Sequence, residues 1–549
     1  MYILGFSDSV HDRSVCIFKD NEPVVALEEE RISRVKHGLK LYNESRKQPD
    51  IFSQMKLEER DSKESEAGLT GVIDYCLNSL SLTPDDIHLF IGNSLHSAFP
   101  FHDKAVYINH HMAHAASTFY SSGFEEAAIL VTDGYGDISA PHRYETVLIA
   151  KGNHNKITQI KTVEGSVSNY YDMQNSIGVF YRIGSLLAGF GMFDEGKTMG
   201  LSAYGKPSYY DELKKYLSYE GDQVLIDNKG VWENLSKSIV DREKFEVRAD
   251  IAASFQKHLE EIVTYYANVA FEKTGLDSLC IAGGVGLNCV SNAKLFNTTR
   301  FKNIYVFSAT GDNGISMGAA YFAAHQIYNL PRTPQLTHSY FGRKYLPSEE
   351  KVALEKNSEK IEYQELSSED LTTKAVDLLV NGEILMWFQD GSELGPRALG
   401  HRSILASSKK VETKDYINAK VKFREMFRPL APIILEEYAT EYFDFGTKSP
   451  FMLFSPKVLP KTIDEAPAIV HIDGTSRLQT LGREQNSKLY GIIDAFRIRT
   501  GTPIVLNTSF NGKDEPIVET PEEAIRTFLN SPVKHLFLDN FYVTKKANA

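Results

Sequence analysis

The stretch AAILVTDGYGD (127–137) begins as an apolar run and ends in an acidic, glycine-containing segment. The apolar part predicts a buried strand, and the acidic part predicts a loop at the end of that strand. The next segment, YETVLIAKGNHNKITQIKTVEG (144–165), predicts a hairpin that turns at Gly152-Asn153. The order is therefore strand, acidic loop and hairpin.

A similar layout occurs near the N-terminus. YILGFS (2–7) predicts a strand, and RSVCIFKDNEPVVALEEE (13–30) predicts two strands around a turn at Asp20-Asn21. The two copies share little sequence identity, but they share the order of their elements. We therefore predict a duplicated α/β unit.

Two further segments each predict a strand, a glycine-containing turn and the start of a helix. They are DSLCIAGGVGLNCVSNAKLF (277–296) and NIYVFSATGDNGISMGAAYFAA (303–324). The proline-containing run 328–347 predicts a domain boundary. We expect a first domain over 1–345 and a second α/β domain over 350–549.

Composition limits the classes of function. The chain has 549 residues, 42% hydrophobic residues and a net charge of −12, which fits a multidomain globular protein without a basic nucleic-acid-binding face. The most apolar region, 177–193, contains Arg182 and several glycines, so it predicts a buried helix and turn and no membrane partner. Four cysteines without CxxC spacing indicate a reducing compartment. No signal peptide is recognisable, and we expect a cytoplasmic protein.

Histidines are concentrated in NHHMAHAAS (109–117). On a helix, His110 and His114 share one face because they are four positions apart, whereas His111 points elsewhere. Such a pair can bind a metal ion only with ligands from distant parts of the chain. The alternative is a pair of buried helical histidines that make hydrogen bonds.

Three loops at predicted strand ends have the composition of phosphate or metal sites. They are DGYGD (133–137), GGVGLN (283–288) and GDNG (311–314). Glycines let backbone N–H groups approach an anion, and a helix N-terminus adds a positive dipole. Any one of these loops could be only a tight turn, but three of them in a repeated layout favour a nucleotide site.

The C-terminal half is rich in arginine loops. The segments 393–406 and 421–432 place arginines among glycine, proline and apolar residues, namely Arg397, Arg402, Arg424 and Arg428. Guanidinium groups on loops are often only solvated. In these surroundings they also suit bidentate binding of phosphates and carboxylates, so we expect a polyanionic ligand.

The N-terminal loops resemble those of the actin, sugar-kinase and heat-shock ATPase superfamily, whose duplicated halves enclose a nucleotide. The His-x-x-x-His helix, the acidic loop and the late DNG resemble the metal site of its threonylcarbamoyl-transfer branch. Along essentially the whole chain, the pattern resembles the O-carbamoyltransferases of antibiotic and nodulation-factor biosynthesis. The motifs that carry this resemblance are HDRSV, DEGKTMGLSAYGKP, AGGVGLN, GPRALGHRSILA, REMFRPLAP and NTSFN.

The resemblance implies an actin-like N-terminal domain with a metal ion, iron first and zinc as the alternative. The implied metal ligands are His110, His114, Asp133 and Asp312. His111 and Asp137 lie close by and rank lower on spacing alone. Nucleotide contacts are expected from the glycine loops. The segment 194–207 is expected to contact the adenylate or the acceptor, and the roles of Glu195 and Lys197 in it are not distinguished. The nucleotide-binding residues expected are Gly134, Lys197, Gly283, Gly284, Gly286 and Asn288.

The resemblance also implies a YrdC-like C-terminal domain that makes carbamoyl-adenylate from carbamoyl phosphate and ATP with Mg²⁺. The N-terminal domain would then pass the carbamoyl group to a hydroxyl of a small-molecule acceptor. The substrate-binding residues expected are Arg397, Lys422, Arg428, Arg477, Asn507 and Ser509, of which Arg397 and Lys422 are expected to be catalytic. His11 is the expected general base, because imidazole titrates near neutrality. A turn histidine without a role is the alternative.

Two other functions share parts of this pattern. One is threonylcarbamoyl transfer to tRNA, and the other is a non-catalytic actin-like nucleotide-binding protein. The acceptor and the oligomeric state stay open, a homodimer included. The segments 42–66, expected to be loop-like, and 208–250 are candidates for shaping the acceptor pocket. Arg13 stands where the family motif has a small residue, and we expect it to alter that pocket.

Overall fold

The computed structural model describes residues 1–9, 11–38, 62–93, 99–167 and 173–546. The chain forms two compact units, Met1–Leu336 and Thr337–Ala549. The division falls within the proline-containing run 328–347.

The first sheet of the N-terminal unit has five strands in the order β3-β2-β1-β4-β5. Their bounds are Tyr2–Ser7 (β1), Ser14–Lys19 (β2), Glu22–Glu28 (β3), Leu89–Asn93 (β4) and Ala105–Ile108 (β5). β1, β4 and β5 run parallel, whereas β2 and β3 form an antiparallel hairpin beside β1. The predicted strand 2–7 and the turn at Asp20-Asn21 are confirmed.

The second sheet repeats this arrangement. Its strands are Glu126–Thr132 (β6), Ile138–Ala140 (β7), Arg143–Asn153 (β8), Lys156–Ser166 (β9), Ser278–Ala282 (β12) and Asn303–Val306 (β13), and a separate hairpin is formed by Leu217–Glu220 (β10) and Gln223–Ile226 (β11). β6 pairs in parallel with β12, which pairs in parallel with β13, and β8 and β9 form the antiparallel hairpin on the other side of β6. The predicted duplication is confirmed by this shared topology.

Helices of eight residues or more in this unit are Ser62–Ser79 (α1), His110–Ser121 (α2), Ile177–Leu187 (α3), Glu195–Ser202 (α4), Phe245–Thr274 (α5), Cys289–Thr298 (α6) and Ile315–Phe322 (α7). Shorter α-helical turns are Glu29–Ser33, Tyr210–Leu213, Asn228–Gly230 and Ser236–Ser238. α7 packs on β1, β2 and β4 of the first sheet, and α2 packs on β6, β8 and β12 of the second. α2 and α7 also pack on each other.

The predicted turn at Gly152-Asn153 is wrong by two residues. Both residues belong to β8, which pairs with β9 up to Asn153 and Lys156, so the turn lies at His154-Asn155. Gly152 serves packing instead, because a Cβ atom at this position would lie 2.4 Å from the Phe119 ring. Most of the segment 42–66 lies outside the described residues, and its last five residues belong to α1 rather than to a loop.

The C-terminal unit has a mixed eight-stranded sheet in the order β14-β21-β20-β15-β16-β19-β17-β18. Its strands are Ile361–Glu365 (β14), Leu385–Phe388 (β15), Arg402–Ser407 (β16), Ala431–Leu435 (β17), Gln479–Leu481 (β18), Ile504–Ser509 (β19), His535–Leu538 (β20) and Phe541–Lys545 (β21). The helices are Pro347–Lys356 (α8), Ser368–Val380 (α9), Ser487–Thr500 (α10) and Pro521–Leu529 (α11), with shorter ones at Val411–Tyr416, Ala439–Tyr442 and Pro460–Glu465. The predicted second α/β domain is confirmed in its fold class.

None of the helices in the described ranges is both long enough and apolar enough to cross a bilayer. All four cysteines are buried, and none of them forms a disulfide bond in the described structure.

Candidate functional site

The two histidines of the His-x-x-x-His pattern lie at the N-terminal end of α2. Asn109 caps this helix, since its side chain accepts a hydrogen bond from the backbone N–H of Met112 at 2.9 Å. His110 and His114 are both fully buried. The Nδ1 atom of His110 lies 3.4 Å from the Asn93 amide, so the Nε2 atom of His110 is turned away from that amide.

Two aspartates from the ends of strands of the second sheet face these histidines. Asp133 follows β6, and Asp312 opens the turn that leads from β13 into α7. The Oδ1 atom of Asp133 accepts hydrogen bonds from the backbone N–H groups of Gly134 at 2.7 Å and Gly284 at 3.3 Å. These two bonds hold the carboxylate so that Oδ2 faces the histidines.

The four side chains form one compact group. The Nε2 atoms of His110 and His114 each lie 3.2 Å from Asp133 Oδ2. The same two atoms lie 3.7 and 3.4 Å from Asp312 Oδ1. One ligand atom from each residue lies within 4.8 Å of the others.

This group fits a first-row transition metal. Two imidazoles and two carboxylates are a donor set that such metals accept. The Nε2 atom of the buried His114 faces both carboxylates, and its Nδ1 atom has no hydrogen-bond partner among the described residues. Burial opposes protonation of His114, but the carboxylates of Asp133 and Asp312 outweigh it and raise the pKa to about 9. A bound cation would therefore replace a proton in a place where the protein already stabilises positive charge.

His111 and Asp137, which rank below the four expected metal ligands on spacing, contact other groups. His111 lies apart from the group, 3.6 Å from Glu145, and burial lowers its pKa to about 3. Asp137 accepts a hydrogen bond from the backbone N–H of His110 at 3.2 Å. That contact places the negative charge of Asp137 at the N-terminus of α2, where it interacts favourably with the helix dipole.

His11 lies beside the same group, on the loop between β1 and β2. Its Nε2 atom is 4.0 Å from Asp312 Oδ2, and its Nδ1 atom is 2.9 Å from Asp12 Oδ2. Arg13, two residues on, is buried, with its Nε atom 4.0 Å from Asp8. The arginine charge thus faces a buried carboxylate, and its effect on an acceptor pocket stays a prediction.

The glycine loops surround the metal-binding group. Gly283 has φ of 88°, and a Cβ atom there would lie 2.2 Å from the Thr132 carbonyl oxygen, so only glycine fits. Gly284 and Gly286 continue into the turn Gly284–Leu287. The Asn288 side chain caps α6 through Ser291 N at 3.0 Å and exchanges hydrogen bonds with the Gln256 amide. A nucleotide contact by Asn288 would require its side chain to bind the nucleotide as well as Ser291 and Gln256, and this contact stays a prediction.

The segment 194–207 contributes α4 and two ion pairs. Lys197 donates to Asp194 at 2.9 Å, and Arg182 donates to Glu195 at 3.0 Å. Lys197 and Glu195 therefore pair with different partners, and their expected substrate contacts stay predictions.

In the C-terminal unit, Glu393 organises the first arginine loop. Its Oε1 atom accepts hydrogen bonds from the backbone N–H groups of Leu399 at 2.7 Å and His401 at 2.9 Å. The expectation that Arg402 binds an anion does not fit its surroundings. Its guanidinium is fully buried and donates to the backbone carbonyl groups of Gln389, His401, Asp390 and Glu519. Arg402 therefore stabilises the fold.

Lys422 and Ser509 meet directly. The buried Lys422 ammonium donates to the Ser509 carbonyl at 2.8 Å and to its hydroxyl at 3.2 Å. It also donates to the side chain of Asn511, which accepts from the Ser509 hydroxyl at 2.8 Å. Lys422 is thereby held at the end of β19 with its charge beside neutral acceptors.

The remaining expected residues of this unit gather around the same strand. Asn507, two residues before Ser509, donates from its amide to the carbonyl of Ala398, the neighbour of Arg397, at 2.9 Å. Gln479, two residues after Arg477, donates to the Leu399 carbonyl at 2.8 Å. Asn507 is thus engaged in holding the Arg397 loop.

Three arginines, Arg424, Arg428 and Arg477, interact electrostatically in the C-terminal unit. Burial, together with the charges of Arg428 and Arg477, holds the pKa of Arg424 well below its ordinary value. The carboxylate of Glu425, which lies 3.8 Å from the Arg428 Nη1 atom, opposes this lowering in part. Arg424 itself donates to the Asn418 side chain at 2.8 Å, and the Arg428 guanidinium lies 3.8 Å from Glu425, so the expected anion contacts of Arg428 and Arg477 stay predictions.

Sequence reasoning missed Glu393, Gln479 and Asn511. All three support neighbours that were expected to bind substrate, and all act through contacts with distant residues. The only signal in the sequence was their position inside or beside the arginine and NTSFN motifs.

Comparisons with known proteins agree with this organisation. Residues 93–321 match the family described as "Carbamoyltransferase N-terminus", and residues 376–545 match "Carbamoyltransferase C-terminus". The chain is 34% identical to nodulation protein NolNO of Sinorhizobium fredii, over 98% of this chain and 79% of that protein. It is 39% identical to nodulation protein NolO of Bradyrhizobium diazoefficiens, over 80% of this chain and 79% of that protein.

Among solved structures, full-length HypF in a phosphate- and nucleotide-bound form is 15% identical, with a TM-score of 0.38. The match covers 59% of this chain and 55% of HypF. The conclusion rests on the two family matches and on the two nodulation proteins. The chain belongs to the carbamoyltransferase family and is a transferase enzyme.

Proposed function

We propose that this enzyme is an ATP-dependent O-carbamoyltransferase that modifies a hydroxyl group of a small-molecule natural product. In this proposal, the YrdC-like domain at 350–549 activates the carbamoyl group, and the actin-like domain at 1–345 transfers it. The four buried cysteines, which form no disulfide bond in the described structure, support a cytoplasmic location.

The chemistry balances in three steps. Carbamoyl phosphate and water give carbamate and phosphate. A carbamate oxygen then bonds to the α-phosphorus of ATP, and pyrophosphate leaves, which gives carbamoyl-adenylate. Finally, the acceptor oxygen bonds to the carbamoyl carbon, the bond from that carbon to the adenylate oxygen breaks, and AMP leaves with the electron pair.

The cation group of the C-terminal unit is the observation that carries the proposal. The buried Lys422 donates to Ser509 at the end of β19, and the charges of Arg428 and Arg477 help to lower the pKa of Arg424. Carbamoyl phosphate and Mg²⁺-bound ATP are polyanions, and guanidinium groups bind such oxygens bidentately. We assign Arg397 and Lys422 to the activation step, and the other expected residues to holding the substrates.

In the N-terminal unit, His11 is the proposed base for the acceptor hydroxyl. The hydroxyl proton would pass to Nε2, the atom that lies 4.0 Å from Asp312. The loops at Gly134 and Gly283–Gly286 are the proposed adenylate-binding loops. The backbone N–H groups of Gly134 and Gly284 donate to Asp133, that of Gly283 donates to Thr310 and that of Gly286 donates to Gly283, so the adenylate phosphate would have to replace one of these acceptors. His110, His114, Asp133 and Asp312 would hold iron, or else zinc. When bound, this metal supplies a Lewis acid that polarises a carbonyl group or orients a phosphate.

The test is the identity of the products formed from ATP. Wild-type enzyme with Mg²⁺ should release AMP and pyrophosphate only when carbamoyl phosphate is present. Losing one partner of a buried charged contact costs roughly 2–5 kcal/mol, so Arg397→Ala and Lys422→Ala should each lower this rate by about 30-fold or more. Matched controls are Arg499→Ala and Lys461→Ala, whose side chains are 44% and 41% exposed.

Either of two results would contradict the assignment. One is formation of ADP and phosphate in place of AMP and pyrophosphate. The other is a rate within threefold of wild type in both Arg397→Ala and Lys422→Ala. An enzyme of threonylcarbamoyl transfer or a non-catalytic nucleotide-binding protein would not consume carbamoyl phosphate with ATP at all.

A further inference from the structure

Asp12 joins two histidines that are far apart in the sequence. Its Oδ2 atom lies 2.9 Å from His11 Nδ1, and its Oδ1 atom lies 2.7 Å from His37 Nδ1. The backbone N–H of Asp12 also donates to the carbonyl of His37 at 3.1 Å. Both carboxylate oxygens are therefore held by imidazole groups, and the two loops are held together by the backbone.

The two rings share a further support. The Phe193 ring lies with its centroid 4.5 Å from that of His11 and 5.2 Å from that of His37. The backbone N–H of His37 donates to Glu30 Oε2 at 2.8 Å. Asp12, His37 and Phe193 all have left-handed backbone conformations, with φ of 54°, 59° and 61°. Such conformations are uncommon in residues other than glycine, and they cluster where surrounding contacts define a functional geometry.

This arrangement fixes the tautomer of His11. A carboxylate only accepts hydrogen bonds, so the nitrogen that faces it, Nδ1, carries the proton. The lone pair of His11 then lies on Nε2, on the side of the metal-binding group. In histidines generally, the hydrogen bond made by one ring nitrogen determines whether the other nitrogen carries a proton or a lone pair.

We propose that Asp12 and His37 are positioning residues, which hold His11 in the Nδ1–H tautomer with Nε2 directed at the acceptor hydroxyl. This inference rests on the proposed function, in which His11 takes the hydroxyl proton. Asp12 acts on His11 directly, and His37 acts through Asp12 by fixing the second carboxylate oxygen.

Asp12, Glu30 and His37 also have ligand atoms within 4.8 Å of one another, a spacing that a metal ion could use. The contacts favour positioning instead. His37 Nδ1 already faces Asp12, Asp12 Oδ2 already faces His11, and Glu30 Oε2 accepts the backbone N–H of His37. A metal ion would have to displace these bonds, so a second metal is an outcome that the experiment must detect.

The experiment is long-range ¹H–¹⁵N NMR of the full chain, labelled with ¹⁵N-histidine and loaded with Zn²⁺. His11→Gln identifies the His11 signals by their loss. Wild type should show a single Nδ1–H tautomer for His11. His37→Ala and Asp12→Asn should show a mixture of tautomers, whereas His37→Asn should keep the wild-type pattern, because its side-chain amide can still donate to Asp12.

Two controls separate this inference from the proposed function. Pyrophosphate release should stay within threefold of wild type in His37→Ala, Asp12→Asn and His37→Asn, because activation is assigned to the C-terminal unit. If wild-type enzyme releases no pyrophosphate, the proposed function is refuted, whereas the tautomer measurement still tests the role of Asp12 and His37. Positioning is refuted if His37→Ala keeps the wild-type tautomer, if His37→Asn fails to restore it, or if bound Zn²⁺ falls from two to one per chain in His37→Ala.

Discussion

Removal of one carboxylate from the buried group should weaken metal binding strongly. Asp312→Asn keeps the size and shape of the side chain and removes its negative charge. Asp312 Oδ1 lies 3.7 and 3.4 Å from the two histidine Nε2 atoms, so it faces the same point as they do. Loss of an outer partner of a metal ligand typically costs roughly 10–100-fold in affinity. Loss of a ligand should therefore cost at least about 100-fold, or about 2.7 kcal/mol.

Competition between the full-length protein and a chromophoric chelator for Zn²⁺, repeated anaerobically with Fe²⁺, measures this change. Asp277→Asn is the matched control, because Asp277 is 52% exposed and pairs only with Lys302 among the ion pairs of the described residues. Circular dichroism checks that each variant is folded. An affinity of Asp312→Asn within threefold of wild type, at unchanged stoichiometry, would refute the assignment of this carboxylate to the metal.

Metal binding should also depend on pH, because the raised pKa of His114, about 9, means that the metal displaces a proton. The Zn²⁺ affinity should fall by up to about tenfold per pH unit below pH 9, and an affinity that is constant from pH 7 to 9 would contradict this. Gly283→Ala should lower the melting temperature more than Gly221→Ala does, because both have positive φ but only Gly283 meets a backbone oxygen, that of Thr132; equal shifts would disprove the steric argument. Arg402→Met should destabilise the protein by about 2–5 kcal/mol in urea unfolding, because the carbonyl groups of Gln389, Asp390 and Glu519 lose the Arg402 donor; a change below about 0.5 kcal/mol would show that the side chain is not structural.

The sequence predicted those features that depend on local periodicity. Alternation and apolar runs located the strands of both repeats, and the spacing of His110 and His114 located one face of a helix. Strand ends with acidic loops indicated DGYGD (133–137) and GDNG (311–314) as candidate metal or phosphate loops, and the family resemblance then implied Asp133 and Asp312 as ligands. The structure brings these two aspartates together with His110 and His114.

Features that depend on long-range contacts could not be predicted in this way. Gly152 resembles a turn glycine, but its role is set by the ring of Phe119 from another element. Arg397 and Arg402 stand five residues apart in one motif, and only the fold shows that Arg402 donates to backbone carbonyl groups. His37 became a candidate only because folding places it against Asp12.

Activation and transfer are assigned to different sets of residues. This assignment is tested by comparing carbamoyl phosphate-dependent pyrophosphate release in wild type, His110→Ala and Arg397→Ala, with folding checked by circular dichroism. We expect His110→Ala to stay within threefold of wild type and Arg397→Ala to lose activity by about 30-fold or more. Equal loss in both folded variants would mean that one composite site carries out both steps, and it would rule out separate sites.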